Sequence, residues 1–167
     1  MPAETIIKAI IALLPVTILV LVLYRLDSHR LLGTHFMLKM FLAGGVIAVL
    51  CYFLNAWTIS TQDWNFSMFT RYVAPFIEEG LKAGILVYLF RTNRIGFLID
   101  AGIIGFTVGA GFAFVENIYY LHTQHDAHYG VWLVRGLGTA VMHGGATALF
   151  AIVSETLTER HLKMNPL

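Results

Sequence analysis

The sequence predicts an all-α fold, a polytopic membrane helix bundle of about five transmembrane helices. Three observations predict it. The chain of 167 residues is 57% hydrophobic and 13% charged, about half the charged share of a soluble domain, so its polar residues are too few to coat a water-soluble globule. Five apolar stretches, at 6–24, 35–57, 72–90, 95–120 and 131–153, come close to the roughly 20 helical residues that cross a bilayer. The polar connectors at 25–33, 58–71, 91–94 and 121–130 are too short to separate two domains, so residues 1–167 read as one integral-membrane domain. The same composition excludes a disordered chain and a coiled coil, and a net charge of +1 gives no basic face for nucleic acid.

Taken in order, the first stretch ends in Tyr24-Arg25 without a small-residue cleavage site and reads as a retained span. The second contains Cys51, the single cysteine, which forms no disulfide framework and reads as packing. In the third, Pro75 is placed to kink or open the helix just before Glu78, Glu79 and Lys82. The fourth carries Asp100 near one end, beside Arg94, where an interfacial role suits it, and Glu116 and Asn117 near the other. The fifth carries Arg135 and His143. Gly80 and Gly84, then Ala101, Gly105 and Gly109, then Gly136, Gly138, Gly144 and Gly145 predict close helix contact. His122, His125 and His128 lie in the polar run between the last two spans; they read as solvated loop residues, with a metal clasp as the sharper alternative.

Lysine and arginine placement predicts orientation. Arg25, Arg30 and Lys39, then Arg91 and Arg94, then Arg160 and Lys163 fall on one side of the spans. The other side has Lys8 and Arg71 near span ends, and its 121–130 loop has neither residue type. This bias predicts an outside N-terminus and a cytoplasmic C-terminus. Trp57, Trp64, Tyr119, Tyr120, Tyr129 and Trp132 agree, all falling near the outer interface.

The charges inside the spans carry the functional signal. An unpaired charge at mid-bilayer costs about 2.5–3.5 kcal/mol on insertion scales, so such groups face each other or water. Lys82 follows Glu78 by four residues and Glu79 by three, offsets that share one helical face. Two neighbouring carboxylates in a low dielectric ionise unequally, which favours one proton acceptor and one proton donor. At 1.5 Å per residue, Glu78 lies on the order of 10 Å below the outer surface, with Glu116 shallower and His143 roughly 18 Å in. Three helices therefore bring polar groups to the outer half of the membrane. Interhelical glue needs only one partner per group, whereas this set holds three carboxylates and a histidine.

Glu78-Glu79-Gly80-Leu81-Lys82, then Gly111-Phe112-Ala113-Phe114-Val115-Glu116-Asn117, then Arg135 and His143 together resemble the PrsW-type intramembrane protease family, distantly similar to CAAX prenyl proteases and bacteriocin-processing membrane proteases. The resemblance covers about 70–150. It implies hydrolysis of peptide bonds in or beside the membrane, with Glu78, Glu79, Glu116 and His143 as the catalytic set and Lys82, Asn117 and Arg135 in support. It also implies a prokaryotic cytoplasmic membrane and a membrane-anchored protein substrate, such as an anti-sigma factor, cut at its extracytoplasmic side. Many relatives look longer, with extra spans, which leaves two readings of this chain, a reduced core or a homo-oligomer.

Amide hydrolysis needs an activated water, a stabilised oxyanion and an acid for the leaving amine. No serine, threonine or cysteine stands beside a histidine among the cluster's motif residues, which argues against an acyl-enzyme. Glu78 suits the general base, Glu116 a water-holding carboxylate, His143 an oxyanion or proton donor, and Asn117 a contact to the substrate backbone. A metal version is also open, with Glu78, Glu116 and His143 holding a divalent metal such as zinc, although no H-E-x-x-H pair is present. Two non-protease classes also use buried charge: a membrane scaffold, and a small transporter or proton relay, for which no internal repeat is found.

Overall fold

The computed structural model describes residues 3–26, 32–61, 63–124 and 126–164. Every regular element among them is helical: α1 (Ala3–Leu26), α2 (Thr34–Thr61), α3 (Phe66–Met68), a π-helical turn (Phe69–Val73), α4 (Ala74–Arg91), α5 (Leu98–Thr123) and α6 (Tyr129–Met164). The protein is an all-α membrane bundle, as expected. Four helices, α1, α2, α5 and α6, are long and apolar enough to cross a bilayer. The remaining expected span, 72–90, is helical throughout, but the 18 residues of α4 carry Glu78, Glu79, Lys82 and Arg91, too much charge for that set. Arg30 and His125, which entered the orientation and loop-metal readings, lie outside the described residues.

Local chemistry sets the helix ends. Asn65 opens α3 by accepting from Ser67 N at 3.0 Å and Met68 N at 3.3 Å, satisfying two of the orphan donors of a helix start. Pro75 lacks an N–H and cannot continue the i→i−4 ladder from the preceding turn. The chain widens there into the π-helical turn, with Ala74 N–H bonded to Phe69 O. The opening expected at Pro75 is this turn, which ends two residues upstream. At the far end of α4, Asn93 takes a positive φ of 51° while Arg94 N bonds to Leu89 O and Asn93 N to Phe90 O, the pattern that stops a helix on an asparagine. His128 caps α6, its Nδ1 accepting from Gly130 N at 3.1 Å, so one of the three loop histidines already serves as a helix cap.

The centre of the bundle is α5. Of its most apolar 18-residue window, 67% is buried, against 17% for α1, which is peripheral. Glycines let α5 approach its neighbours. A Cβ at Gly105 would lie 2.7 Å from Thr147 O, and one at Gly109 would meet the His143 carbonyl. On the opposite side, Gly44 sits against the Val108 carbonyl and Gly111 against the Phe41 carbonyl, bringing α2 onto α5. Gly136 packs on Ile11 and Ala12 of α1, and Gly144 on the Phe106 ring. Gly80, Gly84, Gly138 and Gly145 have no neighbour within 4 Å of an added Cβ, so close packing there does not occur. The open glycines of α4 reflect its position, edge-on to the bundle rather than pressed into it. Asp100 is buried in the first turn of α5, and Trp132 is fully buried, so both pack inside the protein.

Candidate active site

The in-span ionisable residues converge from α4, α5 and α6. Lys82 is completely buried, and its Nζ has three electron-rich neighbours: Glu79 Oε1 at 2.6 Å, His143 Nδ1 at 3.0 Å and the Phe112 ring centroid at 4.1 Å. Glu79 Oε1 also lies 3.6 Å from His143 Nδ1. On the other edge of the imidazole, Nε2 is 3.4 Å from Glu116 Oε2, which in turn is 3.5 Å from Arg135 Nη2. Arg135 stacks over the Tyr120 ring at 3.7 Å. His143 is therefore threaded between two carboxylates, each tied to its own cation.

The backbone explains the convergence. His143 lies on the α6 face that Gly109 of α5 meets, and any side chain there would push the helices apart at this residue. The Thr147 hydroxyl donates to the His143 carbonyl at 2.7 Å, and Phe112 packs on the imidazole with centroids 4.8 Å apart. The ring is held by its surroundings before any occupant arrives.

Proton placement follows from the lysine. An ammonium has donors and no lone pair, so Nδ1 of His143 accepts from Lys82. In the neutral imidazole the proton then sits on Nε2, the nitrogen facing Glu116. His143 Nε2 and Glu116 Oε2 are both buried and without a hydrogen-bond partner. They stand close, but no bond joins them.

Glu78 behaves differently from Glu79. Its Oε1 accepts from Asn55 Nδ2 of α2 at 3.3 Å, and Lys82 binds Glu79 rather than both carboxylates. Asn55 drew no notice in the sequence, where a lone amide in a long apolar run carries no signal. Asn117, expected near substrate, is fully buried, with its amide donating to Ala12 O at 3.2 Å and Thr139 Oγ1 at 3.1 Å. It ties α5 to α1 and α6.

A cavity of about 710 Å³ opens beside the cluster. Its polar residues include Asn55, Glu78, Glu79, Glu116 and His143, and its apolar walls come from α2, the π-helical turn and α5. A volume of this size admits a few residues of an extended chain, within the usual range of ligand pockets. Lys82, Asn117 and Arg135 are not among its lining residues.

As arranged, these side chains do not form a metal site. His143 Nε2 bears the proton when Lys82 binds Nδ1, Glu78 turns toward Asn55, and among the described residues no group of three or more His, Cys, Asp or Glu is set to hold an ion. His122 and His128 are exposed, and His128 caps α6.

No curated protein and no solved structure matches the chain. The model of the PrsW family intramembrane metalloproteases matches it over residues 28–164, taking in α2 and every helix that lines the cavity. With most of its length matched, and with carboxylates, a histidine and a cavity together inside an apolar bundle, the chain belongs to the PrsW family of intramembrane proteases.

Proposed function

We propose that this intramembrane protease cuts membrane-anchored protein substrates near the extracytoplasmic side of a prokaryotic cytoplasmic membrane, through a water activated by Glu78 and a proton donor at His143. The observation that carries the reading is the facing pair of buried atoms, His143 Nε2 and Glu116 Oε2, 3.4 Å apart and without a hydrogen bond, beside a 710 Å³ cavity that also receives Glu78. Residues 1–167 act as one domain with its N-terminus outside, the orientation that the lysine and arginine bias supports. Membrane-anchored regulators of the anti-sigma type fit the substrate class.

In this reading Glu78 takes a proton from water as the oxygen attacks the scissile carbonyl carbon. The carbonyl π-electrons move onto oxygen, and Nε2–H of His143 donates to the oxyanion. Glu116 accepts a hydrogen bond from the attacking water, with Arg135 fixing its carboxylate. The C–N bond then breaks, the proton held by Glu78 passes to the departing nitrogen, and a carboxylic acid and an amine result. Glu79 and Lys82 set the imidazole rather than touch substrate. No step is routed through a metal, because the donor atoms as placed do not fit one.

The test is reconstitution in lipid vesicles with single-span peptides and mass spectrometry of fragments. Wild type cleaves; Glu78→Gln and His143→Ala each lower the rate by about 10²-fold or more while still inserting and folding. Equal cleavage by Glu78→Gln and wild type would overturn the proposal in favour of a scaffold role for the cluster.

A further inference from the structure

The base of the proposed reaction is held by a residue outside the acidic and histidine motifs. Asn55, on α2, donates from Nδ2 to Glu78 Oε1 at 3.3 Å. The amide cannot be reversed without facing two acceptors at each other, so its Oδ1 is left over. That Oδ1 is buried, has no hydrogen-bond partner, and belongs to a residue on the cavity wall. A buried amide oxygen without a donor is a standing cost, and native structures keep few of them.

The expected occupant has the complementary problem. A peptide segment unwound for cleavage inside a membrane loses its helical hydrogen bonds, and a largely apolar cavity offers little water to replace them. Its free backbone N–H groups need acceptors. The neighbouring carboxylate pair shows why an amide suits this place: Glu79 is bound to the ammonium of Lys82, whereas Glu78 is oriented by a neutral donor, which aims the carboxylate without adding a cation beside it.

We infer that Asn55 is a positioning and substrate-binding residue, whose Nδ2 orients Glu78 while its Oδ1 accepts a backbone N–H of the substrate beside the scissile bond. This rests on Glu78 acting as the base. It joins α2, which contributes no acid or histidine to the site, to both the catalytic carboxylate and the substrate chain.

The experiment uses the full chain in vesicles and a single-span peptide in which each backbone amide except the scissile one is replaced in turn by an ester. An ester removes one N–H and leaves the side chains in place. For wild type, one position close to the cut loses about tenfold in kcat/KM, the effect of one buried hydrogen bond. Asn55→Ala lowers kcat/KM on the all-amide peptide by at least as much, and lowers kcat at saturation, because Glu78 is no longer aimed. Its ester penalty disappears at that one position and persists at the others. Asn55→Leu, closest in shape, runs the same scan if the alanine variant does not fold. An unchanged rate for Asn55→Ala, or an ester profile identical to wild type, overturns the inference and leaves the protease reading intact. Cleavage abolished by Asn55→Ala but untouched by Glu78→Gln overturns the base assignment on which it rests.

Discussion

Replacing Lys82 with methionine separates the two ways in which a buried cation can matter. The ammonium is fully buried and is held by Glu79 at 2.6 Å, His143 Nδ1 at 3.0 Å and the Phe112 ring at 4.1 Å. Methionine keeps most of the length and none of the charge. Glu79 is left without its cation, but its side chain is 41% exposed and can be resolvated, so this loss stays below about 1 kcal/mol. Nδ1 of the buried His143 loses a donor, about 1–3 kcal/mol, and the desolvated cation–π contact is worth about 2 more. Against these stands the cost of burying an ammonium, several kcal/mol, which methionine avoids. The net destabilisation is therefore modest, about 1–3 kcal/mol by unfolding in mixed detergent. The rate responds as well. Without Lys82, Nδ1 faces only an acceptor, Glu79 Oε1 at 3.6 Å, while Nε2 still faces Glu116 Oε2 at 3.4 Å, so the imidazole proton is shared between two carboxylates and no longer fixed at Nε2. The oxyanion donor is no longer fixed at Nε2, and kcat falls about tenfold with KM nearly unchanged. Histidine ¹⁵N spectra read the tautomer directly, with the His143 signals assigned by their loss in His143→Gln. Wild type shows a pyridine-like Nδ1 and a pyrrole-like Nε2, and Lys82→Met moves both signals toward intermediate, averaged values. A wild-type His143 protonated at Nδ1, or a variant that keeps both its tautomer and its rate, refutes the reasoning.

Three further outcomes are expected. Gly109→Ala drives a Cβ into the His143 backbone and costs about 1–3 kcal/mol of stability, whereas Gly84→Ala, with nothing within 4 Å, is neutral or slightly stabilising; paired detergent-unfolding curves check the contrast. Arg135→Met removes the partner of Glu116 at 3.5 Å and the stack on Tyr120, leaving a mostly buried carboxylate facing the imidazole; stability falls by about 2–4 kcal/mol and cleavage falls with it, measured on the same vesicle preparation. Dialysis against a strong chelator leaves cleavage within about twofold, since no step of the proposed route uses an ion, and elemental analysis of the active enzyme finds substoichiometric metal. A chelator-sensitive rate restored by one divalent ion defeats that last expectation.

What could be read from the sequence was whatever depends on spacing along one helix or on the rarity of charge in lipid. The four apolar spans and the motif-bearing fifth helix follow from composition, and Glu116, Arg135 and His143 identify themselves because charge inside a span demands a partner. What spacing leaves open is which partner. Lys82 stands four residues from Glu78 and three from Glu79, and both offsets bring side chains together. Tertiary position decides for Glu79, because α6 supplies His143 on that side while α2 supplies Asn55 to Glu78. The glycines show the same limit. Gly80 and Gly84 have the spacing of a packing stripe yet face open space, whereas Gly44 and Gly111, which carry the approach of α2 to α5, fall outside the glycine series that spacing picks out. Asn117 is buried in three-helix contact rather than near substrate, since its sequence position beside Glu116 says nothing of which face it occupies.

Adjacent carboxylates on a helix point about 100° apart, and this small angle is enough to give them different chemistry. Glu79 turns toward a buried ammonium and becomes a fixed counter-charge that holds Lys82 against the imidazole. Glu78 turns toward a neutral amide and lines the cavity, the place the proposed base must occupy. A single carboxylate could not do both, because the ammonium that orders the histidine would also quench the base. The pair therefore explains why α4 carries more charge than a simple span tolerates, and why this helix stays at the edge of the bundle rather than in its close-packed centre. Tight glycine contacts hold α5 to α2 and α6, while α4, with open glycines and a π-helical turn at its start, borders the cavity proposed to receive substrate. Rigidity is placed where His143 must be aimed, and space is placed where a peptide must fit.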